Sequence, residues 1–331
     1  MSPVRGGRSV PPRAGGVGPS VVALGGGHGL AASLAALRLV TENLTAVVTV
    51  ADNGGSSGRL RDELGVLPPG DLRMALAALC DDTEWGHTWR DVLQHRFDSA
   101  GPLAGHALGN LLIVALWELY DDPVAGLELV GRLLNARGRV LPMASVPLQI
   151  SAEVRGLDPA DPRAVSTVVG QAQVATTRGE VLSVRLDPSD PPDCPPAVAA
   201  VEDADWVVLG PGSWFTSIMP HLLVPGLREA LRSTEARRIL TLNVELDTDE
   251  TAGFSAVRHL ETLAIHAPDV AYDIVLADPS IVEDESGLRA AAEGVGARLV
   301  VSPVASQGRP GTHDFLRLAA AYRDLIGPAL A

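Results

Sequence analysis

Val21-Val22-Ala23-Leu24, Gly25-Gly26-Gly27-His28-Gly29, an Ala/Leu-rich segment over residues 30–37, then Ala46-Val47-Val48-Thr49-Val50 running into Ala51-Asp52-Asn53-Gly54-Gly55-Ser56-Ser57-Gly58: this stretch decides the fold. Two apolar, β-branched runs joined by a helical segment predict a parallel βαβ unit. Ligands of such units sit beyond the carboxyl ends of the strands, and both glycine-rich loops fall there. The stretch therefore reads as the floor of a nucleotide-binding site.

Four glycines in five positions let backbone N–H groups approach a ligand. The helix expected from Leu30 adds its free N–H groups and the positive end of its dipole, which suits a phosphate or pyrophosphate. Gly27-His28-Gly29-Leu30-Ala31-Ala32 fits the G-x-G-x-x-A form of the dinucleotide fingerprint, with Asp52 placed as a ribose-binding acid. No lysine occurs; all 26 basic residues are arginine. That excludes a Walker loop ending in Gly-Lys-Ser/Thr and any Schiff-base chemistry. Neutralising a phosphate falls to arginine, backbone N–H groups or a metal.

In the second loop, Gly54-Gly55 frees the backbone, and Ser56 and Ser57 add hydroxyls. Arg59 and Arg61 open the next helix. Asp71, in Pro68-Pro69-Gly70-Asp71-Leu72-Arg73, is placed to cap the helix that follows, and Asp71 and Arg73 join the site candidates. GGGHGL (25–30), TVADNGGSSGRLRDELGVLPPGDLR (49–73), GHALGNLL (105–112) and LGPGSWFTSIMPHLLV (209–224) resemble the YvcK/CofD-like family, whose members are called gluconeogenesis factors. The resemblance runs from Val21 to about residue 318.

That resemblance implies a Rossmann-like α/β fold and a cytoplasmic bacterial protein acting in cell shape and wall-precursor supply during gluconeogenic growth. It implies binding of UDP-sugars, notably UDP-N-acetylglucosamine, and a protein partner in wall-precursor synthesis. The CofD branch transfers a phospholactyl group to a deazaflavin in making coenzyme F420. Three positions depart from the family pattern: His28 where many members have Thr, Asn53 where most have a second Asp, and Ala290 where many UDP-sugar binders carry Tyr. Asn53 removes a carboxylate from the loop and weakens a metal-dependent transferase; Ala290 removes a stacking contact.

A chain of 331 residues, 46% of them hydrophobic, can bury a large core as one domain or two closely joined ones. The net charge of −14 argues against a general nucleic-acid or anionic-membrane surface. Cys80 and Cys194 match no metal or redox spacing. No apolar run reaches the roughly 18 residues of a membrane helix. Residues 1–18, rich in Gly, Pro and Arg, read as a disordered lead-in and not a signal peptide. The rest, 19–331, reads as a single doubly wound domain with a mostly parallel sheet, helices on both faces and a small β-rich insertion at about 138–190.

Further along, Trp85 and Trp89 are four apart, and core packing or a subunit contact is the plain reading of both and of His87 and His95. His106 and Asn110 lie on one face if their helix has already begun, near its N-terminus and any bound anion. Trp206-Val207-Val208-Leu209 is a buried strand ending in Gly210-Pro211-Gly212-Ser213, a second glycine turn with Ser213 and Thr216 hydroxyls for a phosphate or sugar. Asn243 and Glu245 follow the next strand as weaker candidates, and His313 precedes the last helix.

Three functions compete. The first is a nucleotide-sugar-binding regulator without turnover and with no required cofactor, expected to be a homo-oligomer. The second is a CofD-type transferase using Asp52 and a divalent ion. The third is an NAD-binding oxidoreductase. No nucleophile–base arrangement is apparent, which favours the first. The expected geometry is one cavity bordered by residues 25–29, 52–58 and 210–216.

Overall fold

The computed structural model describes residues 16–327; most of the N-terminal lead-in lies outside them. Seven strands form one parallel sheet: β1 (Val21–Gly25), β2 (Leu44–Val48), β3 (Arg139–Pro142), β7 (Trp206–Leu209), β8 (Arg237–Thr241), β9 (Ile274–Ala277) and β10 (Arg298–Val301). Their order is β10-β9-β8-β7-β1-β2-β3. Every residue of β1, β7 and β9 is buried, as expected of parallel strands covered on both faces. The chain leaves β1 in one direction along the sheet and returns at β7 to run in the other. The order therefore reverses between β1 and β7, where a crevice opens beyond the strand ends.

The expected parallel α/β core is found, with shifted boundaries. β2 spans Leu44–Val48, so Thr49 and Val50 belong to the following loop. Helix α1 (Gly27–Leu37) begins inside the glycine turn, three residues before Leu30. Helix α2 (Gly55–Leu64) takes in the whole Ser-Ser-Gly run and ends on Gly65 in the left-handed region, φ 67°. Helix α3 (Pro69–Ala78) starts on proline, with Pro68 as its N-cap; Asp71 therefore lies within the first turn and does not cap it. Leu72, Leu76, Ala75 and Leu79 face the core from α3, which packs on α1.

The middle of the chain divides. Arg139–Pro142 pairs with β2 as the edge strand of the main sheet, so the insertion starts later than residue 138. The antiparallel sheet comprises β4 (Gln149–Arg155), β5 (Val165–Val169) and β6 (Glu180–Asp187), in the order β5-β4-β6. A five-residue helix, α7 (Gln171–Ala175), links β5 to β6. Trp85 departs from the core-packing alternative: it is 56% exposed, its Nε1 donates to Leu133 O at 2.8 Å, and its ring centroid lies 5.6 Å from that of Trp89. Among the described residues, no helix is long and apolar enough to cross a membrane.

Two buried polar links hold the C-terminal part against the crevice. Tyr322, on helix α13 (Phe315–Ile326), bonds Ser33 Oγ of α1 at 2.8 Å and Thr241 Oγ1 of β8 at 3.0 Å. Asp278, just past β9, accepts from Val304 and Ala305 N–H at 2.7 Å each through Oδ2, and from Ser280 N–H at 2.8 Å through Oδ1. Burial pushes its carboxyl up, but the Ser280, Ala305 and Val304 donors outweigh that and hold it below the usual range. Asp278→Asn sets an NH2 group against at least one of these donors and is expected to cost about 2 kcal/mol at pH 7 in urea unfolding. A depressed acid stabilises the fold above its unfolded pKa, and that stabilisation is lost as pH falls through the folded value. The difference between wild type and variant should therefore shrink below about pH 4.

Candidate functional site

β1 ends in Gly25, and Gly27 takes φ +56° to turn the chain into α1. The position where an anion would meet this helix already holds the protein's own carboxylate: Asp71 lies against the Gly26-Gly27 backbone, and the Gly27 N–H favours its charged form. A Cβ on Gly26 would lie 2.6 Å from Asp71 Oδ2 and still closer to Thr49 Cγ2, so only glycine fits there. Asp71, turned away from its own helix, thus answers the free N-terminus of α1. Its carboxyl is pushed up to about 7 by burial and by the Asp52 charge, against the Gly27 N–H and Arg73. Asp52 in turn closes a turn by accepting from Gly54 N–H at 2.8 Å.

Asp71 gives a pH prediction. An acid whose folded pKa is raised binds its proton more tightly when folded, so its contribution is most favourable below about pH 4. It declines as pH rises towards 7 and is flat above. Asp71→Asn keeps the shape beside the Gly26-Gly27 backbone and removes the charge. Above pH 7 it is expected to be more stable than wild type by about 2 kcal/mol, with the gain vanishing below pH 4. Thermal unfolding at pH 8 and pH 4 checks this.

The second loop builds a different surface. Ser56 and Ser57 are buried on the first turn of α2 and not on a loop, and both line the cavity described below. Ser56 Oγ accepts from Asn110 Nδ2 at 3.0 Å and Ala107 N–H at 3.4 Å, which leaves its proton for His106 Nδ1 at 3.0 Å. Burial and the Arg59 charge lower the His106 pKa, in keeping with a neutral acceptor ring. Helix α5 (Leu108–Tyr120) begins after His106, so His106 and Asn110 converge through Ser56 and not along a helix face. Asn110 Oδ1 accepts from Arg73 Nε at 2.9 Å. This chain sets Arg73, 3% exposed, at the wall of a cavity of about 210 Å³ that it shares with Arg96, Asp52, Asp71 and the start of α2 at Gly54–Gly55. Burial and Arg96 lower the Arg73 pKa to about 10, with Asp71 opposing them. Two cations press on one another beside a helix N-terminus whose N-cap, Gly54, supplies no side-chain cap. An anion between them relieves that repulsion.

A second cavity, of about 270 Å³, opens at the reversal between β1 and β7. His28, Gly29, Pro211, Gly212 and Ser213 line it with Asn243, Glu245, Glu250 and His313. The three expected borders thus open onto two neighbouring cavities, with Asp71 beside the turn that separates them. Several candidates are engaged inside the protein. Asn243 clamps one residue, donating to Gly212 O and accepting from Gly212 N–H, both at 2.9 Å. Thr216 is fully buried in a π-helical turn (Trp214–Ile218), and neither it nor Gly210 lines either of these two cavities; Leu30 is core. Asn53 Oδ1 accepts from Ala172 N–H at 3.0 Å and its Nδ2 donates to Gln173 Oε1 at 3.1 Å, which ties α7 to the site loop. Ala290 is exposed on helix α12 (Glu285–Gly294) and lines neither cavity. Among the described residues, no group of three His, Cys, Asp or Glu side chains is disposed to hold a metal ion.

Sequence reasoning missed Arg96 and Glu250. Arg96 reaches the site through a bridge to Ala107 that no local pattern signals. Glu250 is 3% exposed and accepts from Phe215 N–H at 3.3 Å through Oε1; burial pushes its carboxyl up to about 7. Its one signal is an acid in a polar run that the fold buries.

The family model described as 2-phospho-L-lactate transferase CofD matches residues 21–302. A Mycobacterium tuberculosis protein named gluconeogenesis factor is 55% identical over 91% of this chain and 88% of its own length. The gluconeogenesis factor of Bacillus subtilis is 36% identical over 81% of each chain. A crystal structure of a upf0052-family protein from Bacillus halodurans superposes with a TM-score of 0.81 at 31% identity, covering 92% of this chain and 98% of that one.

Proposed function

This chain belongs to the CofD/YvcK family, and on that premise we propose that it binds a nucleotide sugar of the UDP-N-acetylglucosamine type without consuming it. The observation that carries this reading is the pair Arg73 and Arg96 facing the start of α2, where cations and the N–H groups of a helix start without a side-chain cap converge. A diphosphate there leaves the attached sugar next to the cavity at the β1–β7 reversal. The names of the relatives support a gluconeogenesis factor. We extend this to control of cell shape and wall-precursor supply in the cytoplasm, through a protein partner.

The phospholactyl-transferase reading keeps one observation in its favour. Asp52 and Asp71 form a coupled carboxylate pair beside the arginines, and such pairs serve acid–base work or a divalent ion. The dinucleotide reading loses its anchor, because Asp71 occupies the α1 N-terminus that a pyrophosphate would need.

Calorimetry with UDP-N-acetylglucosamine, alongside GDP and NAD, tests the proposal. Saturable binding of the UDP-sugar, recovered intact by phosphorus NMR, is expected. Turnover in a phospholactyl-transfer assay, or NAD binding with no response to a UDP-sugar, would overturn it.

A further inference from the structure

We infer that the cavity at the β1–β7 reversal takes an uncharged, hydroxyl-bearing group and rejects an acidic one, with Glu245 as the residue that sets the preference. This rests on the reading that the neighbouring arginine cavity holds the phosphates of a nucleotide.

The two cavities carry opposite chemistry. Glu245 and Glu250 line the one at the reversal, and among the described residues no arginine does. The second glycine turn leads into a helical turn whose N–H groups would attract a phosphate, but Glu250 already receives the Phe215 N–H there. Glu250 is 3% exposed and its Oε2 has no hydrogen-bond partner. The Thr216 hydroxyl, itself without another partner, bears on the same carboxyl, so the open acceptor at this wall is Glu245. Glu245 is exposed at the same wall, and among the described residues no hydrogen bond or ion pair engages it. It lies across Gly311, where a Cβ would sit 3.2 Å from the Glu245 carboxyl carbon and closer still to Oε2; the φ of +73° at that residue also favours glycine. The lack of a side chain at Gly311 leaves room for the carboxylate beside the opening. His313 offers no fixed compensating charge: its Nε2 is unpartnered and burial lowers its pKa. A free carboxylate accepts hydrogen bonds from sugar hydroxyls and repels a second carboxylate or a phosphate.

The test compares UDP, UDP-N-acetylglucosamine and UDP-glucuronic acid by calorimetry on wild type and Glu245→Gln. Wild type is expected to bind the neutral sugar at least about tenfold more tightly than the acidic one. Glu245→Gln should raise affinity for the acidic sugar about tenfold, weaken the neutral one and leave UDP unchanged. Equal wild-type affinity for the two sugars, or a variant that shifts all three ligands alike, overturns the inference while UDP binding still stands. Failure of UDP itself to bind overturns the nucleotide reading and this inference together.

Discussion

Arg73→Gln is expected to lower the affinity for UDP-N-acetylglucosamine by about a hundredfold while the protein stays folded. Arg73 is the buried cation of the cavity proposed to take the phosphates, fixed by its Nε bond to Asn110 and set against Arg96. Charge-assisted hydrogen bonds to phosphate contribute roughly 1.5–3 kcal/mol each, so loss of the guanidinium alone accounts for one to two orders of magnitude. The remainder comes from what stays behind. With Arg73 gone, Asp52 and Asp71 face the diphosphate with Arg96 alone to offset them. Arg73→Lys keeps a charge but loses the planar fork, and its affinity should fall between the two. Calorimetry gives the affinities, and a urea unfolding curve shows whether Asn110 and Ser56 keep their places without the arginine. Wild-type affinity in Arg73→Gln would sink the assignment of the phosphates to this cavity.

The same residue shows how far the sequence could be read. The glycine turns and the order of apolar runs carry the parallel sheet, because buried strands and the turns after them obey local rules. That cavities open beside those turns was legible for the same reason. Partner choice was not. Asp71 reads as a cap for its own helix, yet it crosses to the α1 N-terminus, a decision made by how α1 and α3 pack. Ser56 and Ser57 read as loop hydroxyls because two glycines precede them, whereas the helix begins at Gly55 and buries both. Asn53 reads as a missing carboxylate; the oxygen and NH2 of its one amide instead hold α7, more than a hundred positions away in sequence. Turn chemistry is local and visible, while the pairing of polar side chains across the crevice is a property of the packed core.

Gly29→Ala is expected to cost about 3 kcal/mol of stability and to weaken ligand binding with it. Gly29 lies in the first turn of α1 with ordinary helical geometry, so the substitution carries no backbone strain and would by itself favour the helix. The obstacle is across the crevice. A Cβ on Gly29 would stand 2.7 Å from Gly212 Cα and Pro211 C, and closer still to Pro211 O. These are backbone atoms held by the two Asn243 bonds to Gly212, so no side chain can swing aside. The turn after β7 must move away from α1, which opens the reversal between β1 and β7 and breaks the clamp. Gly27→Ala separates this clash from conformational strain: Gly27 has φ +56°, but its nearest obstacle is Asp71 Oδ1 at 4.0 Å. It should therefore cost only about 1 kcal/mol. Urea unfolding of the two variants settles the order. A Gly29→Ala protein as stable as wild type, or less affected than Gly27→Ala, would show that the two glycine turns do not need their close backbone contact.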